Sequence, residues 1–199
     1  MHLTLIGGKF ARKKIRFIEK IRPTSTKVRK AVFTVLGESF QCGTFLDLFA
    51  GSGAMAIEAI SRGMDRAILV ENDPEVIKVI EKNLSLIKEP YVIAPKLIPE
   101  KGIIILPWGI KRSIKFIAHQ GVRVDVVYID PPYYGRWERT MLRVLDEYPI
   151  LKSTSRVFLE HYKRIKIDES KSLVLVKRRE YGDTSVSEYR VKDTESENN

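Results

Sequence analysis

The chain has 199 residues, 44% of them hydrophobic and 30% charged, with a single cysteine and a net charge of +10. That length suits one domain with a real core, and the composition excludes disordered, fibrous and membrane-spanning classes, since no apolar run approaches the roughly 18 residues a bilayer demands. Cys42 alone excludes an internal disulfide or a cysteine metal cage. Charge is unevenly placed: residues 1–30 hold ten Lys/Arg and one acid, a net of +9, so the rest of the chain is close to neutral. Such a block points to a polyanion, and to nucleic acid ahead of a merely solubilising surface. No apolar segment follows the N-terminal charges as a signal peptide requires, so the cytoplasm is expected.

In chain order, Leu3, Leu5, Ile15 and Phe17 alternate loosely around Gly7-Gly8, which predicts a small hairpin within a basic extension over residues 1–24. Arg22-Pro23 is a stop, Thr24, Ser25 and Thr26 are N-cap candidates, and Val28, Ala31, Val32, Val35 and Leu36 form a helical stripe ending near Gly37. From residue 44 the grammar alternates: strand 45–49, helix 54–62, strand 67–70, helix 75–86. Residues 91–94 and 102–106 read as short strands among Pro90, Pro95, Pro99 and Pro107. Helix 110–118, strand 124–129, helix 139–145 and strands 157–161, 172–176 and 185–191 follow, the last two hairpin-like about Glu180-Tyr181-Gly182-Asp183. One domain over 25–192 and a disordered acidic tail over 193–199 complete the reading. Strands alternating with helices predict an α/β fold, a mainly parallel sheet with helices on both faces and ligands at the strands' C-terminal ends.

The first strand runs into Asp47-Leu48-Phe49-Ala50-Gly51-Ser52-Gly53, a glycine turn opening a helix, where a backbone can approach a ligand closely. The spacing, finished by Ala56, equally suits a dinucleotide. Two features pull away from one. Asp47 sits inside the strand, where a carboxylate suits a cationic ligand such as an ammonium better than a pyrophosphate. Glu71 ends the next strand, 18 residues beyond Gly53, where an acid accepts ribose hydroxyls. Asp73-Pro74 reads as an N-cap with proline at the first helical position. Asn72 and Trp108 are candidates for the adenine end of such a ligand, with a turn role and core packing as their respective alternatives.

Asp130-Pro131-Pro132-Tyr133 follows the apolar run Val126-Val127-Tyr128-Ile129. Consecutive prolines fix φ near about −65° and keep the loop extended. A carboxylate, carbonyls and a flat ring converge there, which suits a planar base whose exocyclic amine is held by acceptors and stacked by the ring. Hydrogen bonds from the two amine protons to Asp130 and the Pro131 carbonyl favour a pyramidal nitrogen with an exposed lone pair. The base reaches such a pocket only if unpaired or flipped. Glu160-His161 closes a later strand and is read as packing ahead of pocket lining. His2, His119 and His161 have no metal-ligand spacing.

With these residues in place, the chain resembles the RsmD-type ribosomal RNA guanine-N(2)-methyltransferases that act on small-subunit (16S) RNA. The resemblance rests on Ile6-Gly7-Gly8-Lys9, residues 21–35 (IRPTSTKVRKAVFTV), 45–63 (FLDLFAGSGAMAIEAISRG), 68–73, 125–133, 157–161 and 179–183. It implies a Rossmann-like class I methyltransferase with a seven-stranded sheet and an N-terminal hairpin. S-adenosylmethionine is the implied donor, and residues 130–133 are implied to lie at the target guanine. Arg22, Thr24 and Arg29 are implied to lie on the substrate side, with Arg22 on an RNA phosphate. No metal or membrane is implied, and a monomer is expected. Residues 88–121 depart from the family pattern: the usual Gly-Asp after the fourth strand is missing, so the adenine contact is unassigned. Two rivals are an adenine amino-methyltransferase and a non-catalytic RNA-binding or assembly protein on the same fold.

Overall fold

Every residue of Thr44–Leu48 is buried, as are four of five in each of Arg66–Val70 and Gly102–Leu106. Strands with no polar face need cover on both sides. The computed structural model describes residues 1–20, 24–37, 39–132, 137–165, 167 and 170–193 and supplies that cover. All but the first residue of the expected acidic tail lies outside the described residues. In chain order the elements are β1 (His2–Thr4), β2 (Lys14–Arg16), α1 (Thr26–Leu36), β3 (Thr44–Leu48), α2 (Ala54–Ser61), β4 (Arg66–Val70), α3 (Pro74–Ile87) and β5 (Tyr91–Ile93). There follow β6 (Gly102–Leu106), α4 (Ile110–His119), β7 (Val124–Ile129), α5 (Trp137–Glu147), β8 (Leu151–Tyr162), β9 (Leu173–Tyr181) and β10 (Thr184–Val191).

Among the described residues the main sheet has eight strands in the order β5-β6-β4-β3-β7-β8-β10-β9, parallel from β5 through β8 and antiparallel at β10 and β9. That is one strand more than the resemblance implies. The extra pairing is β5, a three-residue edge strand beside β6 with its side chains partly or fully exposed, which the proline-broken stretch leaves room for. Alternate residues feed two cores. Phe45, Leu69, Ile105 and Val126 pack with α1, α2 and α3, whereas Leu46, Val70, Leu106 and Val127 pack with α4 and α5. No helix among the described residues is long and apolar enough to cross a membrane.

The N-terminal hairpin is bound into the first of these cores through Leu5, Phe10 and Ile15. β1 pairs with β2 as the alternation predicts. Glu58 of α2, fully buried, holds the strand exit: its carboxylate accepts the Ile6 N–H at 2.8 Å, the Gly7 N–H at 2.7 Å and Arg62 Nε at 2.9 Å. Gly8 has φ +69°, and a Cβ there would lie 1.8 Å from the Ser61 carbonyl oxygen. Gly8→Ala is therefore expected to destabilise the protein by about 2 kcal/mol or more, through strain and clash together. A thermal melt checks this, and an unchanged midpoint contradicts the docking contact.

Candidate active site

A cleft of about 1070 Å³ opens where β3, β4, β6, β7 and β8 end. The turn after β3 forms its floor. Phe49 there has φ +70°, a conformation a bulky side chain adopts only when its surroundings impose it. The Ala50 N–H donates to the Val70 carbonyl at 3.0 Å, and the Phe49 ring meets Trp137 edge-on with centroids 5.7 Å apart. Gly51 has φ +54°, and its N–H donates to Glu71 Oε2 at 3.2 Å. The other Glu71 oxygen accepts the Asn72 and Asp73 N–H groups at 2.9 and 3.0 Å, so one carboxylate ties the glycine turn to the end of β4.

Asp47 lies in the cleft wall, 2% exposed. It accepts the Ala56 N–H from the first turn of α2, but its Oδ2 is buried without a hydrogen-bond partner. Burial pushes its pKa up to about 8, with Glu71 adding to the rise and the Ala56 bond opposing it. A buried carboxylate with an orphaned oxygen is a ready seat for a cation.

Phe49, Ala50, Gly51, Ser52, Glu71, Asn72 and Trp108 all line the cleft. Gly53, expected beside the ligand, instead packs the turn onto the core. It has φ +76°, and a Cβ there would meet Leu69 Cδ2 at 3.2 Å and Ile80 Cγ2 at 3.5 Å. Asn83, buried in α3, holds the same turn: its Nδ2 donates to the Ser52 and Arg16 carbonyls, both at 2.9 Å. Asp73 caps α3 as its sequence predicts, accepting the Glu75 N–H at 2.9 Å, and Lys20 pairs with its other oxygen at 2.6 Å. That contact holds the Asp73 carboxyl below its ordinary range. Trp108 stands edge-on to Phe116 at 5.2 Å with the Arg112 guanidinium 4.5 Å from its ring centre.

Opposite the glycine turn, β7 delivers Asp130, Pro131 and Pro132 to the cleft. Thr24, just ahead of α1, donates from Oγ1 to Asp130 Oδ2 at 3.2 Å. Ser25 sets that approach by capping α1, its hydroxyl accepting the Val28 N–H at 3.1 Å. Below Asp130 the buried Tyr128 hydroxyl donates to Glu160 Oε2 at 2.6 Å. Burial pushes that phenol well above its ordinary range, and the Glu160 and Asp130 charges add to the effect.

Two of the substrate-side residues lie among the described residues, and one of them meets the expectation. Thr24 lines the cleft, but Arg29 does not. Arg29 is 0% exposed, with its Nη2 donating to the Thr4 carbonyl at 3.0 Å and its Nη1 lying 4.0 Å from Glu58 Oε2. It belongs to the hairpin clamp, which removes it from substrate contact. Arg22 and Tyr133 lie outside the described residues. Glu160, read from sequence as packing, does line the cleft, as does Tyr128, which in the sequence is only one member of an apolar run. The sequence signal for this pair is modest: one hydroxyl in a buried strand and one acid at the end of the neighbouring one.

Comparison with known proteins places these residues in context. The family model described as "Conserved hypothetical protein 95" matches residues 3–190. YlbH of Bacillus subtilis (strain 168) is 30% identical over 170 residues, covering 85% of this chain and 87% of its own. A protein named "Ribosomal RNA small subunit methyltransferase D" in Buchnera aphidicola subsp. Acyrthosiphon pisum is 29% identical over 177 residues, 88% of this chain and 86% of its own. Among solved structures, the hypothetical protein TTHA0928 of Thermus thermophilus superposes with a TM-score of 0.79 at 26% identity, over 95% of this chain and 99% of that one.

Proposed function

This chain belongs to the RsmD-type family, and on that premise we propose that it transfers a methyl group from S-adenosylmethionine to the 2-amino group of a guanine in small-subunit ribosomal RNA. The observation that carries the reading is the convergence of Asp47, Glu71 and Asp130 on one cleft, from β3, β4 and β7. The residues present fit the cofactor. The orphaned Oδ2 of Asp47 would take its ammonium, Glu71 its ribose hydroxyls, and Asn72 and Trp108 the adenine end. Bound S-adenosylmethionine supplies a methyl group on a positively charged sulfur.

The protein's own residues then hold the acceptor. Asp130 and the Pro131 carbonyl accept the two amine protons, which turns the nitrogen lone pair out of the ring. Thr24 fixes the carboxylate by its hydrogen bond, so little reorganisation remains when the in-line displacement begins. Asp130 takes a proton as the amine becomes a methylated cation; that cation is acidic, so no strong base is needed. Pro131, buried, and Pro132, exposed, keep the loop stiff.

RNA reaches the cleft across a basic rim. Lys9, Arg12, Lys13, Lys14, Arg16, Lys20, Lys27 and Lys30 are all exposed around the hairpin and α1. Affinity for single-stranded RNA is expected to fall with salt, and replacing Lys13 and Lys14 with alanine should flatten the log–log slope by about 0.7 per cation removed. A slope equal to that of the unaltered protein would contradict this surface as the clamp. Glu71→Ala is expected to weaken cofactor binding by about 10- to 100-fold in calorimetry, the range of a lost hydrogen bond to a charged group. Unchanged affinity would remove Glu71 from the cofactor site. The reaction class is tested by incubating the protein with methyl-labelled S-adenosylmethionine and either ribosomal RNA or duplex DNA. Label confined to RNA is expected; label on DNA, or on neither, overturns the proposal.

A further inference from the structure

The cleft holds a second carboxylate that methyl transfer as described does not use. Glu160 is 5% exposed, lines the cleft and accepts the Tyr128 hydroxyl at 2.6 Å. Ile129 of β7 pairs with Leu159 of β8, so the next step of that register sets Glu160 beside Asp130 on adjacent parallel strands. Tyr128 in β7 and Asp130, the residue just past its end, both line the cleft, and the Glu160 and Asp130 charges both act on the Tyr128 hydroxyl. The phenol fixes the position of one Glu160 oxygen at 2.6 Å, and a carboxylate offers about four acceptor positions in all.

A guanine whose 2-amino group rests on Asp130 presents a second donor next to it, the N1–H. Adenine presents a lone pair at the corresponding N1. A carboxylate there attracts the first base and repels the second. We propose that Glu160 selects guanine at this site by accepting its N1–H while Asp130 holds the amine, with Tyr128 as the residue that positions the Glu160 carboxylate. This rests on the reading of the target as a guanine 2-amino group and adds the device that chooses it. It also accounts for two acids on neighbouring strand ends where the transfer itself calls for one.

The test uses the full-length protein and its RNA substrate made with either guanosine or 2-aminopurine at the methylated position. 2-Aminopurine keeps the 2-amino group but carries an unprotonated N1. The unaltered protein is expected to methylate the 2-aminopurine RNA with kcat/KM about 100-fold lower, as sites built around a hydrogen bond reject analogues lacking it. Glu160→Gln should narrow that gap about tenfold or more, because the amide can donate to N1 and still accept from Tyr128. Loss of the 6-oxo group is common to both proteins, so it cancels in the comparison. Equal rates on the two RNAs with the unaltered protein overturn the inference without reference to any variant. So does a gap that Glu160→Gln leaves unchanged. If guanosine RNA yields no N(2)-methylguanosine at all, the reading of the target base itself falls, a failure seen as missing product and not as an unchanged ratio.

Discussion

Asp130→Ala is expected to lower the rate of methyl transfer by about 10²- to 10³-fold while leaving S-adenosylmethionine affinity within about threefold, by the scale of removing one preorganised group at a reacting centre. The split follows from placement. Asp130 stands just past the end of β7, held by Thr24 at 3.2 Å, whereas the carboxylates proposed to hold the cofactor are Asp47 on β3 and Glu71 just past the end of β4. On the proposed mechanism, without the carboxylate the amine would keep its lone pair in the ring and the acceptor would lose its orientation. Asp130→Asn is expected to recover part of the orientation but little of the rate, since an amide accepts with one oxygen only. Calorimetry with single-turnover kinetics separates the two effects. A variant that methylates at the unaltered rate removes Asp130 from the reaction, and one that loses cofactor binding moves it to the other side of the cleft.

Asp47→Asn is expected to have opposite effects on ligand binding and on stability. Its carboxyl titrates near 8 in the folded protein, against 3.8 for an unperturbed group. The folded state therefore holds this proton more tightly than the unfolded chain, and the group costs stability as pH rises from about 4 to about 8, the cost then staying level. Asparagine removes that cost. The variant should melt higher than the unaltered protein at pH 8, with no gain near pH 3. Its cofactor affinity should fall by about 100-fold, because an ammonium then faces no charge. The same linkage predicts that cofactor binding to the unaltered protein at pH 7 releases nearly one proton, as the ammonium forces Asp47 to ionise. Titration calorimetry in buffers of different ionisation enthalpy measures that release. Zero net release, or a variant that is less stable at pH 8, contradicts the assignment of Asp47.

The parts of this site readable from sequence are those whose signal is local. The glycine turn, Glu71 and the proline pair each combine a strand end with a residue type the backbone or ligand demands there, so nearby residues suffice to place them. Arg29 fails for the complementary reason. It stands in a basic run, and contacts distant in sequence, the Thr4 carbonyl at 3.0 Å and Glu58 at 4.0 Å, withdraw it into the hairpin clamp. Tyr128 and Glu160 meet across two strands 32 residues apart, a pairing that register decides and local composition does not. Gly53 matches the ligand-loop pattern because the same left-handed backbone that shapes the turn also packs it onto Leu69. The edge strand β5 is read from the sequence as a short strand over 91–94, and it is only the seven-stranded sheet implied by the resemblance that lacks it.

The most direct single measurement is the identity of the methylated nucleoside. Small subunits and ribosomal RNA lacking endogenous modification are incubated with the protein and S-adenosylmethionine, digested, and the nucleosides resolved by chromatography and mass. N(2)-methylguanosine, absent when the Asp130→Ala protein is used, is the predicted result. Methylated adenosine in its place would contradict guanine as the target while keeping Asp130 at an amine, and intact cofactor binding with no methylated nucleoside would contradict catalysis altogether.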